Sequence, residues 1–122
     1  MKKLSVIFIL LLLGDPSFLL AQTTPNVNGT WIMQVETDAG SGSPTFVLEQ
    51  VDATNLKGTY SGLLGSSDVK GTLKGNIIHL EFKISGETIE YEGVVDGDEL
   101  KGKVKLGSMA EGTFTGKKKK TD

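Results

Sequence analysis

The chain has 122 residues, room for one globular domain and not two. It carries 13 Lys and no Arg against 15 Asp and Glu, a formal charge of −2, which excludes an ordinary nucleic-acid binder: such proteins are basic and rely on arginine for phosphates and guanine edges. Cysteine is absent, so neither a disulfide framework nor a thiol nucleophile is available.

In chain order, the first segment has a basic start at Lys2 and Lys3, then an apolar run from Leu4 to Leu13 broken only by Ser5. Gly14, Asp15 and Pro16 end it, well short of the ~20 apolar residues a membrane span needs. Residues 1–21 are expected to be a secretory signal peptide cut after Ala21, although Leu19 at the −3 position is larger than an ideal site holds. An uncleaved anchor is the alternative. The remaining 101 residues carry 11 Lys against 14 acids, about −3. No membrane span remains after cleavage, and an exported, cysteine-free domain points to a bacterial periplasm or exterior.

Residues 22–28, QTTPNVN, are expected to be a loose lead-in. Beyond them period-two alternation dominates, punctuated by glycine-rich turns, and predicts strands at 29–36, 44–51, 56–63, 68–74, 77–84, 88–95, 99–106 and 110–116. Trp31, Met33 and Val35 alternate with Ile32, Gln34 and Glu36. Ile78, Leu80, Phe82 and Ile84 alternate with Ile77, His79, Glu81 and Lys83. The turns set the pairing. Gly75-Asn76 as a two-residue loop pairs Leu73 with Ile78, Gly71 with Leu80 and Val69 with Phe82. Asp96-Gly97 as a type I′ loop pairs Tyr91 with Gly102 and Ile89 with Val104, and sets Glu92 against Lys101 and Glu90 against Lys103 on the outer face. Short connections make consecutive strands antiparallel neighbours. The expectation is an all-β protein, an eight-stranded antiparallel up-and-down meander over 29–116 that closes into a small barrel and so removes its edges. Lys117 to Lys120 would begin a solvated tail over 117–122, with weak attraction to an anionic surface as the sharper reading.

One phrase recurs along these strands: LKGTYSG at 56–62, VKGTLKG at 69–75, YEGVVDG at 91–97, LKGKVKL at 100–106 and AEGTFTG at 110–116. Its third position is always glycine (Gly58, Gly71, Gly93, Gly102, Gly112) and falls on the inner face. Inward glycine suits sharp coiling and close backbone approach; clearance for a ligand is the alternative.

No catalytic constellation assembles. The single histidine, His79, falls on the outer face, and no serine has a histidine partner in an inner register. Glu90 and Glu92 face lysines. Asp96-Gly97-Asp98-Glu99 lacks the ligand series of a calcium loop. No metal site, no cofactor and no enzyme activity are therefore expected.

The loops at the two barrel ends differ. One end has tight polar turns. The other carries TDAGSGSP at 37–44, LLGSS at 63–67, SGE at 85–87 and GSM at 107–109, with apolar Leu63, Leu64 and Met109 among them. Any ligand entrance is expected there, with the 37–44 loop as a lid.

Gly29-Thr30-Trp31 resembles the G-x-W opening of lipocalin-like barrels, and LKGTYSG is similar to the third-strand phrase of avidin-type biotin binders. The chain also resembles small exported bacterial β-meander domains, some of which accompany hydrolase domains. The first two resemblances imply a calycin-type barrel that holds a small molecule. Lipocalins commonly pack an arginine on that tryptophan and avidin-type proteins line their pocket with several tryptophans, whereas this chain has no arginine and one tryptophan, Trp31.

Together these features predict a non-catalytic binding protein for a small apolar or amphipathic ligand. Trp31, Phe46, Tyr60, Phe82 and Tyr91 would line the cavity, with Leu63, Leu64 and Met109 at its mouth. The tyrosines would offer hydroxyls to orient a polar group. The alternative is a structural or protein-interaction β-domain with a filled core. Interior volume separates the two, because a cavity below ~300 Å3 leaves room only for a very small ligand.

Overall fold

A computed structural model describes residues 25–120, so the predicted signal peptide lies outside the described residues. Nine strands follow one another: β1 (Gly29–Thr37), β2 (Gly40–Gly42), β3 (Thr45–Gln50), β4 (Asn55–Gly62), β5 (Gly65–Lys74), β6 (Ile77–Ile84), β7 (Glu87–Asp96), β8 (Glu99–Leu106) and β9 (Ala110–Lys118). Every neighbouring pair is antiparallel, and β9 pairs back onto β1 from Gly112↔Thr37 to Lys118↔Trp31. The result is the expected closed eight-stranded meander, with β2 as one extra short strand. No helix among the described residues is long and apolar enough to cross a membrane.

The alternation read from the sequence sets the two faces. Trp31, Met33, Phe46, Ile78, Leu80 and Ile89 are fully buried, and Tyr60, Phe82, Tyr91 and Phe114 are nearly so. Their rings form one continuous cluster, centred on Phe46, which meets Tyr60, Phe82 and Tyr91 edge-on at 5.4, 6.0 and 5.0 Å. Outward Val47, Ile77 and Val94 are exposed.

The recurring glycines have one cause. A Cβ on Gly58, Gly71, Gly93, Gly102 or Gly112 would run into the backbone carbonyl of Val47, His79, Lys101, Glu92 or Glu36, respectively, on the adjacent strand. Neighbouring strands thus approach more closely than any side chain permits, which is how eight short strands coil into so narrow a barrel. These positions meet backbone, so their role is coiling and not ligand clearance.

Several expectations change. The turn between β7 and β8 is Gly97-Asp98 and not Asp96-Gly97: Asp96 pairs with Glu99, so Tyr91 meets Val104, Ile89 meets Leu106, Glu92 meets Lys103 and Glu90 meets Lys105. Gly97 has φ +62° and opens its turn as Gly75 does in the Gly75-Asn76 turn, where Lys74↔Ile77 is found as expected. Glycine in the first turn position suits a II′ geometry, and that preference outweighed the Asp-Gly signal. The slip is two residues, so no side chain changes face. Among the described residues the ion pairs within 4.0 Å are Lys57–Glu49 and His79–Glu81, so the Glu90 and Glu92 pairings are cross-strand neighbours without close contact.

The 37–44 segment is a tight Asp38-Ala39 turn followed by β2, not a long loop. Val35↔Gly42 and Trp31↔Phe46 share one register, so β2 and β3 form a single strand interrupted at Ser43-Pro44. The interruption is where proline lacks an N–H for the ladder, although the Pro44 carbonyl still accepts from Met33 N–H at 2.9 Å. Between β5 and β6 the ladder stops at Lys70↔Glu81, one pair short of the predicted Val69–Phe82. Above it the Ser67 hydroxyl donates to the Lys83 carbonyl at 3.2 Å in place of a backbone bond.

Of the lead-in, residues 25–28 are described, and they are held in place. Val27 is fully buried and seals the end of the barrel that carries the termini. Its N–H donates to Gln50 Oε1 at 2.8 Å and its carbonyl accepts from Trp31 Nε1 at 2.9 Å. The lysine run contributes too. β9 continues through Lys118, two residues past the predicted Gly116. Lys118 Nζ donates to the Asn26 carbonyl at 2.8 Å and lies 5.5 Å from the Trp31 ring centroid. A cation over the indole face adds about 0.5–1 kcal/mol at such a site.

Candidate functional site

At the end opposite Val27, four turns surround a cavity of about 210 Å3: Asp38-Ala39, Leu63-Leu64, Ser85-Gly86 and Gly107–Met109, of which the first, second and fourth contribute lining residues. The opening follows from the local sequence. β2 is Gly-Ser-Gly and offers almost no side chain, and Pro44 interrupts the strand below it. On the other side the β3–β4 ladder ends at Thr45↔Ser61, so β2 has no hydrogen-bonded neighbour there. Leu63 fills part of that slot, its Cδ1 3.2 Å from where a Cβ on Gly42 would stand. With the β5–β6 ladder also ending early, the tip of the β4–β5 hairpin is unladdered on both flanks.

Tyr60, Leu63, Leu64, Tyr91 and Met109 all line this cavity. Trp31, Phe46 and Phe82 do not. They lie beneath, packed into the core: Phe82 stacks on Tyr60 at 4.4 Å, and Phe46 supports both tyrosines. The lower barrel is filled, and the cavity occupies only its mouth. Its remaining walls are Val35, Thr37, Ala39, Leu106 and Ala110 with residues 40–44. Val35 and Leu106 were legible as inward residues, but nothing in the pattern marked where the filled core ends. Gly42 followed closely by Pro44 is the signal that could have shown it, since a strand of that composition cannot wall off the interior.

The lining is uniform in charge: none of these side chains is ionisable except the two tyrosines. Tyr91 is 2% exposed, and among the described residues its hydroxyl has no protein hydrogen-bond partner. Burial, and then the nearness of Tyr60, push its pKa well above the usual phenol range. Burial also raises Tyr60, opposed by a hydrogen bond from the Leu64 backbone. Leu63 is 85% exposed and Met109 52%, while Leu64 is more covered.

These tyrosines are the only two in the chain, which makes them easy to follow. The folded state holds both phenol protons longer than the unfolded chain, whose tyrosines titrate near pH 10. Their contribution to stability is thus complete below about pH 10 and lost as pH rises from there toward the folded values. Melting temperature should fall with pH in that window, phenolate absorbance should appear mainly on unfolding, and Tyr91→Phe should flatten the fall. A normal phenolate titration in the folded protein would contradict the burial described here.

A larger concavity of about 610 Å3 lies on the outer wall, over Ile32, Gln34, Val94 and Thr115, with Asp96, Glu99, Lys101 and Lys117 around it. It is an outward sheet surface flanked by solvated charges of both signs, so the smaller mouth cavity is the better candidate. Among the described residues no three His, Asp or Glu side chains gather as a metal site. His79 is half-buried on the outer wall, 3.6 Å from Glu81.

No protein-family model and no curated protein matches the sequence. Solved structures do. One of EF1p2_mFAP2b bound to DFHBI superposes with a TM-score of 0.59 at 12% identity, covering 76% of this chain and 94% of that one. A de novo designed fluorescence-activating β-barrel gives 0.58 at 16% identity over 75% of this chain and 93% of that one. Fatty-acid-binding protein 1 of Echinococcus granulosus gives 0.45 at 15% identity over 75% and 96%. At these identities the likeness to the first two is one of fold alone, that of a closed, antiparallel up-and-down β-barrel.

Proposed function

We propose that the chain is an exported, non-catalytic binding protein that holds one small apolar or amphipathic molecule in the mouth of its barrel. The observation that carries this reading is the cavity itself: mostly apolar walls, no charged side chain, and the buried Tyr91 hydroxyl without a protein partner among the described residues. Pockets for small molecules have this make-up, mostly apolar with a few placed polar groups. The structure of EF1p2_mFAP2b bound to DFHBI is consistent with a barrel of this fold holding a bound compound. An exported setting rests on the leader at residues 1–21.

The filled lower barrel and the exposed Leu63 favour a second reading, a protein-interaction domain that uses the same hairpin tip as an apolar contact. Native mass spectrometry of the protein purified from its own source separates the two. The expected result is one retained small molecule per chain. Repeatedly bare protein with a co-purifying protein partner would overturn the binding reading in favour of the second.

A further inference from the structure

We infer that the cavity selects a compact, uncharged, single-ring compound bearing a hydrogen-bonding group, anchored on the Tyr91 hydroxyl, and that it rejects fatty acids and other organic anions. This rests on the binding reading above and narrows it to a chemical class.

Three independent observations lead there. The first is size. A cavity of about 150 Å3 is enough for benzene, so one of about 210 Å3 takes slightly more than a single ring. Depth is closed off by Phe46 and Phe82 under the tyrosines, so a long acyl chain has nowhere to extend.

The second is charge. A buried carboxylate needs a cation or several donors, and leaving it unpaired is prohibitive. No lysine lines the cavity, and the chain has no arginine. The charged residues of the four turns and their flanking positions are Asp38 and Glu87, both acidic. An incoming anion is therefore repelled at the mouth and unpaired inside.

The third is the anchor. Tyr91 is the more deeply covered of the two tyrosines, 2% exposed against 4% for Tyr60, and its Oη has no protein hydrogen-bond partner among the described residues. A hydroxyl both donates and accepts, so a ligand hydroxyl, carbonyl or ring N–H completes it. Unpaired buried polar groups are rare enough to mark where a partner belongs.

The test uses the mature full chain, shown bare by mass spectrometry, and the Tyr91→Phe variant, which removes one oxygen and keeps the ring. Each is titrated calorimetrically at neutral pH with para-cresol, benzene and octanoate, up to about millimolar concentrations. The expected result is that the unaltered protein binds para-cresol about 3- to 10-fold more tightly than Tyr91→Phe does. Benzene should bind both proteins equally, and octanoate at least about tenfold more weakly than para-cresol. Octanoate binding as tightly as para-cresol, or an unchanged para-cresol affinity in Tyr91→Phe, overturns the inference. If benzene or octanoate binds and para-cresol does not, the chemical class is wrong and the binding reading stands. If none of the three binds, both fall.

Discussion

Phe46→Ala is expected to cost about 3–5 kcal/mol of folding stability, lowering the melting temperature by on the order of 20 °C for a domain of this size. Phe46 is fully buried, pairs across the sheet with Trp31 on one side and Tyr60 on the other, and touches the rings of Tyr60, Phe82 and Tyr91. Deleting its ring forfeits burial and the edge-on contacts, each about 0.5–1.5 kcal/mol beyond area. It also opens space directly beneath both tyrosines, adjoining the mouth cavity. The same variant should therefore bind benzene more tightly while folding less stably. If Phe46→Ala unfolds outright, Phe46→Leu should show the same two trends at smaller amplitude. Urea titration with Trp31 fluorescence, followed by benzene calorimetry, measures both. A loss below about 1 kcal/mol would mean that the aromatic cluster is not the core.

Gly102→Ala is expected to cost about 3 kcal/mol or more, out of proportion to one added methyl. Gly102 pairs with Gly93, and a Cβ there would strike the Glu92 carbonyl and the Gly93 Cα. A backbone carbonyl in a ladder cannot rotate away as a side chain can, so the strands must separate and the barrel must widen. Outward Thr72→Ala, which pairs with His79 at the surface, should cost well under 1 kcal/mol. Comparable losses from Gly102→Ala and Thr72→Ala in a denaturation series would contradict close strand approach as the reason for these glycines.

The two variants touch the parts of the molecule that were most legible. Alternation placed Trp31, Phe46, Leu80, Ile89 and Tyr91 inside because one face of each strand had to be apolar, and the recurring glycines implied tight coiling. Register was legible at the Gly75-Asn76 turn, but between β7 and β8 only to within two residues. A shift from Asp96-Gly97 to Gly97-Asp98 keeps every side chain on its face, so only the backbone preference of Gly97 decides it. Two segments defeated the pattern for a different reason. Gly40–Gly42 has the composition of a loop and becomes a strand because β1 supplies a paired edge. Val27, a lone apolar residue among polar neighbours, becomes a plug because Trp31 and Gln50 hold its backbone in place. Both depend on long-range partners that a local window does not contain.

The same limit applied to the site. Leu63, Leu64 and Met109 stood out as apolar residues in turns, and Tyr60 and Tyr91 as inward residues with a polar tip. That Trp31, Phe46 and Phe82 belong to the filled core below depends on how neighbouring rings share the interior, a packing question.

The central claim is that a small molecule occupies the mouth end of the barrel, and methionine-methyl NMR tests it most directly. Two methionines fall among the described residues: Met109 lines the cavity, and Met33 is buried in the core, away from it. With methyl-labelled methionine, titration with benzene, para-cresol and octanoate in turn should move the Met109 signal for at least one probe while Met33 shifts little. A Met109 signal that responds to none of them, or a Met33 signal that moves alone, would contradict the account.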